Sequence, residues 1–101
     1  MASIQVFEDE KNRSVIISIH DCFDFGVHKE FRASYKDRED SNSYVIDMKN
    51  VNYIDSSALG MMLLLHEHAA AHKGKVLIKN CNPEIKKILT IANFDRLFDI
   101  S

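Results

Sequence analysis

VIDMKNVNYIDSSALGMMLLLHEHA, residues 45–69, decides the fold: strand formers, then an Asp-Ser-Ser turn, then apolar residues at helical spacing. The run SYVIDM, residues 43–48, is mostly apolar and lies between the polar DREDSNS and KNVN. That pattern predicts a short strand buried on both faces. The following helix is expected to start near Ser57 and reach about His72, with Gly74 as its C-terminal cap. Leu59, Met62, Leu63 and Leu65 put apolar groups around most of its first two turns, which predicts cover on more than one side. Leu63 is expected in the core.

Upstream, Ile4 and Val6 alternate with polar neighbours, as do Val15, Ile17 and Ile19, with the charged EDEKNR between the two runs. Two antiparallel strands joined by a hairpin follow. Between about Phe25 and Arg38 the spacing of Val27, Phe31 and Tyr35 predicts a surface helix with one apolar stripe. Downstream, KVLIK reads as another buried strand, and NPEIKKILTIAN as a helix with Pro83 in its first turn. Ile85, Ile88, Leu89 and Ala92 form its expected buried face, and RLFDI closes the chain as a last short strand. The order β-β-α-β-α-β-α-β requires parallel neighbours with right-handed crossovers. The fold class is α/β, one domain spanning residues 1–101, with a mixed sheet and helices mainly on one face.

A chain of 101 residues with 46% hydrophobic content can build one modest core. Thirteen basic and fifteen acidic residues are interspersed, for a net charge of −2. This is unlike the basic footprint of a nucleic-acid binder, so no nucleic-acid partner is expected. The longest apolar run, ALGMMLLL, is far below the roughly 20 residues of a membrane-spanning helix, so no membrane insertion is expected. The N-terminus lacks a basic start followed by an apolar stretch, which predicts a cytoplasmic protein.

Cys22 and Cys81 lie far apart and in no metal-type spacing, and read as free, buried thiols. In HEHAAAH, His68 and His72 share a helical face, but His66 lies about 200° away at roughly 100° per residue. The histidines therefore read as a solvated polar face, and no metal or cofactor is expected. A small serine hydrolase would use Ser56 or Ser57 as nucleophile, yet the elbow G-x-S-x-G is absent. A phosphate-cradling loop would need more glycines and a lysine. For the serine pair two readings stay open: an N-cap, or a hydroxyl presented at the helix start where a phosphate is tolerated. One serine suffices as a cap, and Asp55 opposes added negative charge.

Residues 45–69 together with NCNPEIKKILTIANFDRLFDI resemble the STAS domain of bacterial anti-sigma-factor antagonists, whose central motif is D-S-S-[GA]-L-G followed by a helix. FDFGVHKEF stands where that family has its first helix after an acidic position. The resemblance implies that Ser56 is a phosphoacceptor, with Asp55 before it and Ser57 beginning the helix. It further implies a partner-binding surface including Asp24, Asp55, Ser56, Ser57 and Gly60. The family's usual glycine is Asp21 here, and the further C-terminal helix of many members is not legible before Ser101. The implied partners are an anti-sigma factor or serine-kinase regulator and a serine phosphatase, in a non-enzymatic switch. The alternative within the fold is a non-switching subunit of a transport or signalling assembly, where the serines only cap the helix.

Overall fold

The alternating apolar residues at the N-terminus form the expected hairpin. Strand β1 (Ile4–Asp9) pairs antiparallel with β2 (Ser14–Phe23), Ile4 opposite Ile19 and Asp9 opposite Ser14. The computed structural model describes residues 3–39 and 43–101. Part of the polar DREDSNS stretch thus lies outside the described residues. The chain continues through α1 (His28–Ala33), β3 (Ser43–Ile54), α2 (Ser56–Ala71), β4 (Lys75–Lys79), α3 (Pro83–Ile91) and β5 (Asp99–Ile100). The five strands lie side by side in chain order, and β2 to β5 run parallel. Right-handed crossovers between sequential neighbours put all three helices on the same face.

That face holds the core. Val15, Ile17 and Ile19 of β2, Tyr44, Ile46 and Met48 of β3, and Val76 and Ile78 of β4 are buried beneath Phe31, Met62, Leu65, Ile85 and Leu89. The other face is open. SYVIDM is therefore not buried on both faces, because Val45 and Asp47 are only partly covered. Its apolar character has another source: Val45 stands in register between Ile16 and Leu77, and Ile16 is paired with Phe7. KNVN belongs to β3 rather than to a loop. Pairing with β2 shifts register twice along it, and Asp21 sits between the shifts at φ 65°. Asp47 braces the first shift by accepting from the Lys49 N–H and from Asn80 Nδ2, both at 3.0 Å.

Several expected elements are shorter. Phe25–Val27 form a 3-10 turn and α1 covers six residues, although Val27, Phe31 and Tyr35 are buried as the spacing predicts. The Ser34 hydroxyl donates to the Phe31 carbonyl, and Arg38 Nε donates to that of Ser34. Side-chain donors thus occupy carbonyls at the end of the helix. Strand β5 keeps two residues of RLFDI because a 3-10 turn at Phe94–Arg96 folds Phe94 and Phe98 together, centroids 5.2 Å apart. Helix α2 closes with Lys73, not Gly74, in the left-handed region, while the Gly74 N–H bonds the Ala69 carbonyl at 2.7 Å. Leu63 is 37% and Ile88 41% exposed, whereas Leu65 and Leu89 are fully buried. Each helix meets the sheet on one side only, so the expected core positions Leu63, Ile88 and Ala92 fall outside it, and α2 is not covered on several sides.

Candidate functional site

The last ladder pair between β2 and β3 is Phe23 with Ile54. Asp24 and Asp55 therefore leave two adjacent parallel strands at one level, the carboxyl edge where α/β sheets gather their sites. The Asp55 N–H donates to the Phe23 carbonyl at 3.3 Å, tying the two exits together. Each aspartate then caps the turn that follows it. Asp24 Oδ1 accepts from the Gly26 N–H at 2.9 Å, and a Cβ at position 26 would stand 3.0 Å from that oxygen. Asp55 Oδ1 accepts from the Ala58 N–H at 3.2 Å.

Helix α2 thus begins at Ser56, one residue earlier than expected, and its N-cap is Asp55 rather than either serine. Three consecutive residues here can all cap a helix. The ladder ending at Ile54 selects the first of them. Ser57 supports the cap indirectly, its hydroxyl donating to Asp55 Oδ1 at 2.5 Å. Chiefly through that bond, the Asp55 carboxyl is held below the ordinary carboxylate range; desolvation opposes the shift, and the N–H groups of Ala58, Ser57 and Phe25 add to it.

Ser56 is exposed, and its hydroxyl has no hydrogen-bond partner among the described residues. At about 100° per residue, Ser56, Gly60, Leu63 and Glu67 follow one outward line on α2. Nothing lies within 4 Å of where a Gly60 Cβ would stand. Beside the aspartates, Phe25 is 62% exposed and stacks on the His28 ring, centroids 4.1 Å apart and planes 11° from parallel. The five residues expected at the site therefore share one edge of the molecule, where the Ser56 hydroxyl is exposed. Sequence reasoning missed Phe25, and it placed Leu63 inside. The available signal was the surplus of apolar residues on α2, more than one buried stripe can use.

Among the described residues no histidine is hydrogen-bonded to Ser56 or Ser57, and the Ser57 hydroxyl is committed to a carboxylate. The Ala58 N–H at the start of α2 already donates to the Asp55 carboxylate. The histidines of α2 are structural rather than a solvated face. His68 Nε2 meets the Arg38 carbonyl at 2.6 Å, His72 Nδ1 the His68 carbonyl at 2.8 Å, and the His66 ring packs edge-on to Phe98. No cluster of three metal-ligating side chains occurs among the described residues. Both cysteines are free, but Cys22 is exposed and Cys81 only partly buried, which corrects the expectation of buried thiols. Burial raises the Cys81 thiol above its ordinary value, against a smaller lowering by Lys86. Among the described residues no helix is long and apolar enough to cross a membrane.

The sequence profile of the STAS domain matches residues 5–101. A STAS-domain-containing protein of Pseudomonas aeruginosa (strain UCBPP-PA14) is 42% identical over 100 residues, covering 98% of this chain and 99% of its own. Among solved structures, an anti-sigma-factor antagonist (STAS) domain protein from Planctomyces limnophilus superposes with a TM-score of 0.82 at 16% identity, covering 98% of this chain and 89% of its own. The Bacillus cell fate determinant SpoIIAA, in its phosphorylated form, gives 0.75 at 17% identity over 97% of this chain and 90% of its own.

Proposed function

This chain belongs to the STAS domain family, and we propose that it works as an anti-sigma-factor antagonist whose binding is switched at Ser56. Unmodified, it binds an anti-sigma factor or related regulator through Ser56, Asp24, Asp55, Ser57 and Gly60. A serine kinase transfers the γ-phosphoryl group of ATP to Ser56 Oγ, releasing ADP, and a serine phosphatase hydrolyses the ester. Catalysis belongs to those enzymes, while this chain supplies the acceptor and the surface, in the cytoplasm where its partners act. The observation that carries this reading is the division of labour at the start of α2. Asp55 is the cap, Ser57 holds Asp55, and Ser56 is exposed with no structural bond of its own.

The same geometry explains how phosphate would act. A phosphoserine adds about −1.5 to −2 charges. It cannot take the Ala58 amide without displacing the Asp55 carboxylate that already accepts from it. The new charge therefore stays on the outward surface. Burying it against a partner shaped for a neutral hydroxyl costs several kcal/mol, and about 1.4 kcal/mol is one decade of affinity. A loss of two or more decades follows.

The test begins with protein purified from its native cell and phosphate located by mass spectrometry. Phosphate on Ser56 is expected, with a regulator retained by the unmodified chain and by Ser56→Ala but lost from chain carrying phosphoserine at position 56. Phosphate on Ser57 instead, or equal retention by all three forms, overturns the proposal. Ester hydrolysis that disappears with Ser56→Ala would establish the hydrolase in its place.

A further inference from the structure

We infer that β1 is a pairing edge through which two copies of this chain join, antiparallel, into one continuous sheet. Strand β1 is outermost, and its six-residue register with β2 runs unbroken from Ile4 opposite Ile19 to Asp9 opposite Ser14. The His20 N–H donates to the Ser3 carbonyl at 2.9 Å, so the backbone of Ser3 faces β2. Antiparallel ladders alternate, and Gln5, Phe7 and Asp9 share that orientation. The N–H and C=O groups of Ile4, Val6 and Glu8 consequently point away from the sheet, and no other described segment bonds them.

Edges are commonly protected by lysine, proline or a bulge. The strand IQVFED has none of these. Its acidic residues stand at one end, and Glu8 is engaged by Arg38 at 2.7 Å. Its centre instead offers Val6, 40% exposed, and Phe7, 52% exposed, on opposite faces. Phe7 also begins the row of side chains on the open face, followed in register by Ile16, Val45 and Leu77.

The occupant that meets all of these features is the same strand of a second copy. A two-fold axis perpendicular to the sheet keeps both helical layers on one side, so it pairs residues of like parity. With Phe7 opposite Phe7, each Val6 exchanges both outward backbone bonds with Glu8 of the other copy. The two rings meet across the axis, and the two apolar rows become one. Aromatic cross-strand pairs are favourable contacts of this kind. Pairing through one strand buries well below the roughly 1,600 Å² of a standard stable complex, so the dimer is weak and reversible. Because β2 separates β1 from β3, both copies keep Ser56 exposed.

Sedimentation of the full chain from about 10 µM to about 1 mM tests this directly, with a reversible monomer–dimer equilibrium expected. Amide exchange of the wild type should show protection at Ile4, Val6 and Glu8 rising with concentration. Val6→Pro removes an N–H that no ladder bond uses, and Phe7→Lys charges the axis; each should weaken dimerisation about tenfold or more. Phe7→Cys in a Cys22→Ser chain should cross-link under mild oxidation, since directly opposed non-hydrogen-bonded residues have Cα atoms about 4.5 Å apart, within disulfide reach. A monomer throughout the concentration range overturns the inference, as does a dimer indifferent to both substitutions. If the variants fail to fold, wild-type exchange decides: concentration-dependent protection elsewhere than β1 rejects the edge.

Discussion

Ser57 is the serine with a structural duty, and it performs that duty through Asp55. Its hydroxyl is the leading reason that the Asp55 carboxyl lies below the ordinary carboxylate range. A depressed folded pKa contributes stability that is present above the ordinary value, near 4, and is lost as pH falls through the depressed one. Ser57→Ala should therefore raise the Asp55 pKa toward its ordinary value and bring the acid loss of stability to higher pH. Carboxyl NMR titration and urea unfolding between about pH 2 and 5 would show both effects. Ser56→Ala should follow the wild-type curve and change stability by no more than about 0.5 kcal/mol. An unchanged Asp55 titration in Ser57→Ala would refute the role given to that hydroxyl. Asp21 raises a separate residue-level question, since it holds φ 65° and is exposed. Left-handed backbone costs a non-glycine residue about 1–2 kcal/mol, less for Asp, and glycine adds unfolded-state entropy. Asp21→Gly is expected to stabilise by about 0.5–1 kcal/mol in urea unfolding, and destabilisation would mean that the Asp21 side chain contributes a contact worth more than the strain.

At the scale of elements, α2 combines a buried stripe with an outward line that no other described helix covers. Gly60 on that line stands in open space, so Gly60→Ala should stabilise the isolated chain by about 0.5–1 kcal/mol through helix propensity alone. Under the proposed switch the added methyl group meets the regulator, and affinity should fall although stability rises. Opposite signs in unfolding and binding are the expected signature; a gain in both would remove Gly60 from the interface. Strand and helix order was legible because β1 and β2 alternate cleanly and because Pro83 and the Asp-Ser-Ser turn punctuate the rest. The start of α2 was less so, since Asp55, Ser56 and Ser57 are all capable caps and the selection is made by where β3 stops pairing with Phe23. Val45 misled for a similar reason. Its apolar side chain belongs to a row across four strands, and only the register of the sheet discloses that row. Leu63 and Ile88 fit the helical period equally well, but cover is set by how many sides of each helix the sheet can reach.

The whole molecule is a sheet with one covered face and a switch candidate at one edge, which bears on how phosphorylation would be transmitted. The buried side chains of α2 itself, Ala58, Met62, Leu65 and Ala69, are at most 1% exposed, so sliding the helix along the sheet would break close core contacts. Interiors packed to this degree change between discrete arrangements rather than deforming continuously. At the edge itself, the Asp55 carboxylate already accepts from the Ala58 amide and sets a like charge beside Ser56. The phosphate should then act where it stands, by charge presented to the partner. Chain made with phosphoserine at position 56 should show amide shifts confined to residues 24–27 and 53–60, with unfolding stability changed by no more than about 1 kcal/mol. Affinity for the regulator should nevertheless fall about 100-fold or more. Local shifts with lost binding would identify electrostatic exclusion as the mechanism. Shifts extending into β4, β5 or α3 would instead show that the phosphate rearranges the fold, and that the Asp55 cap yields the Ala58 amide to it.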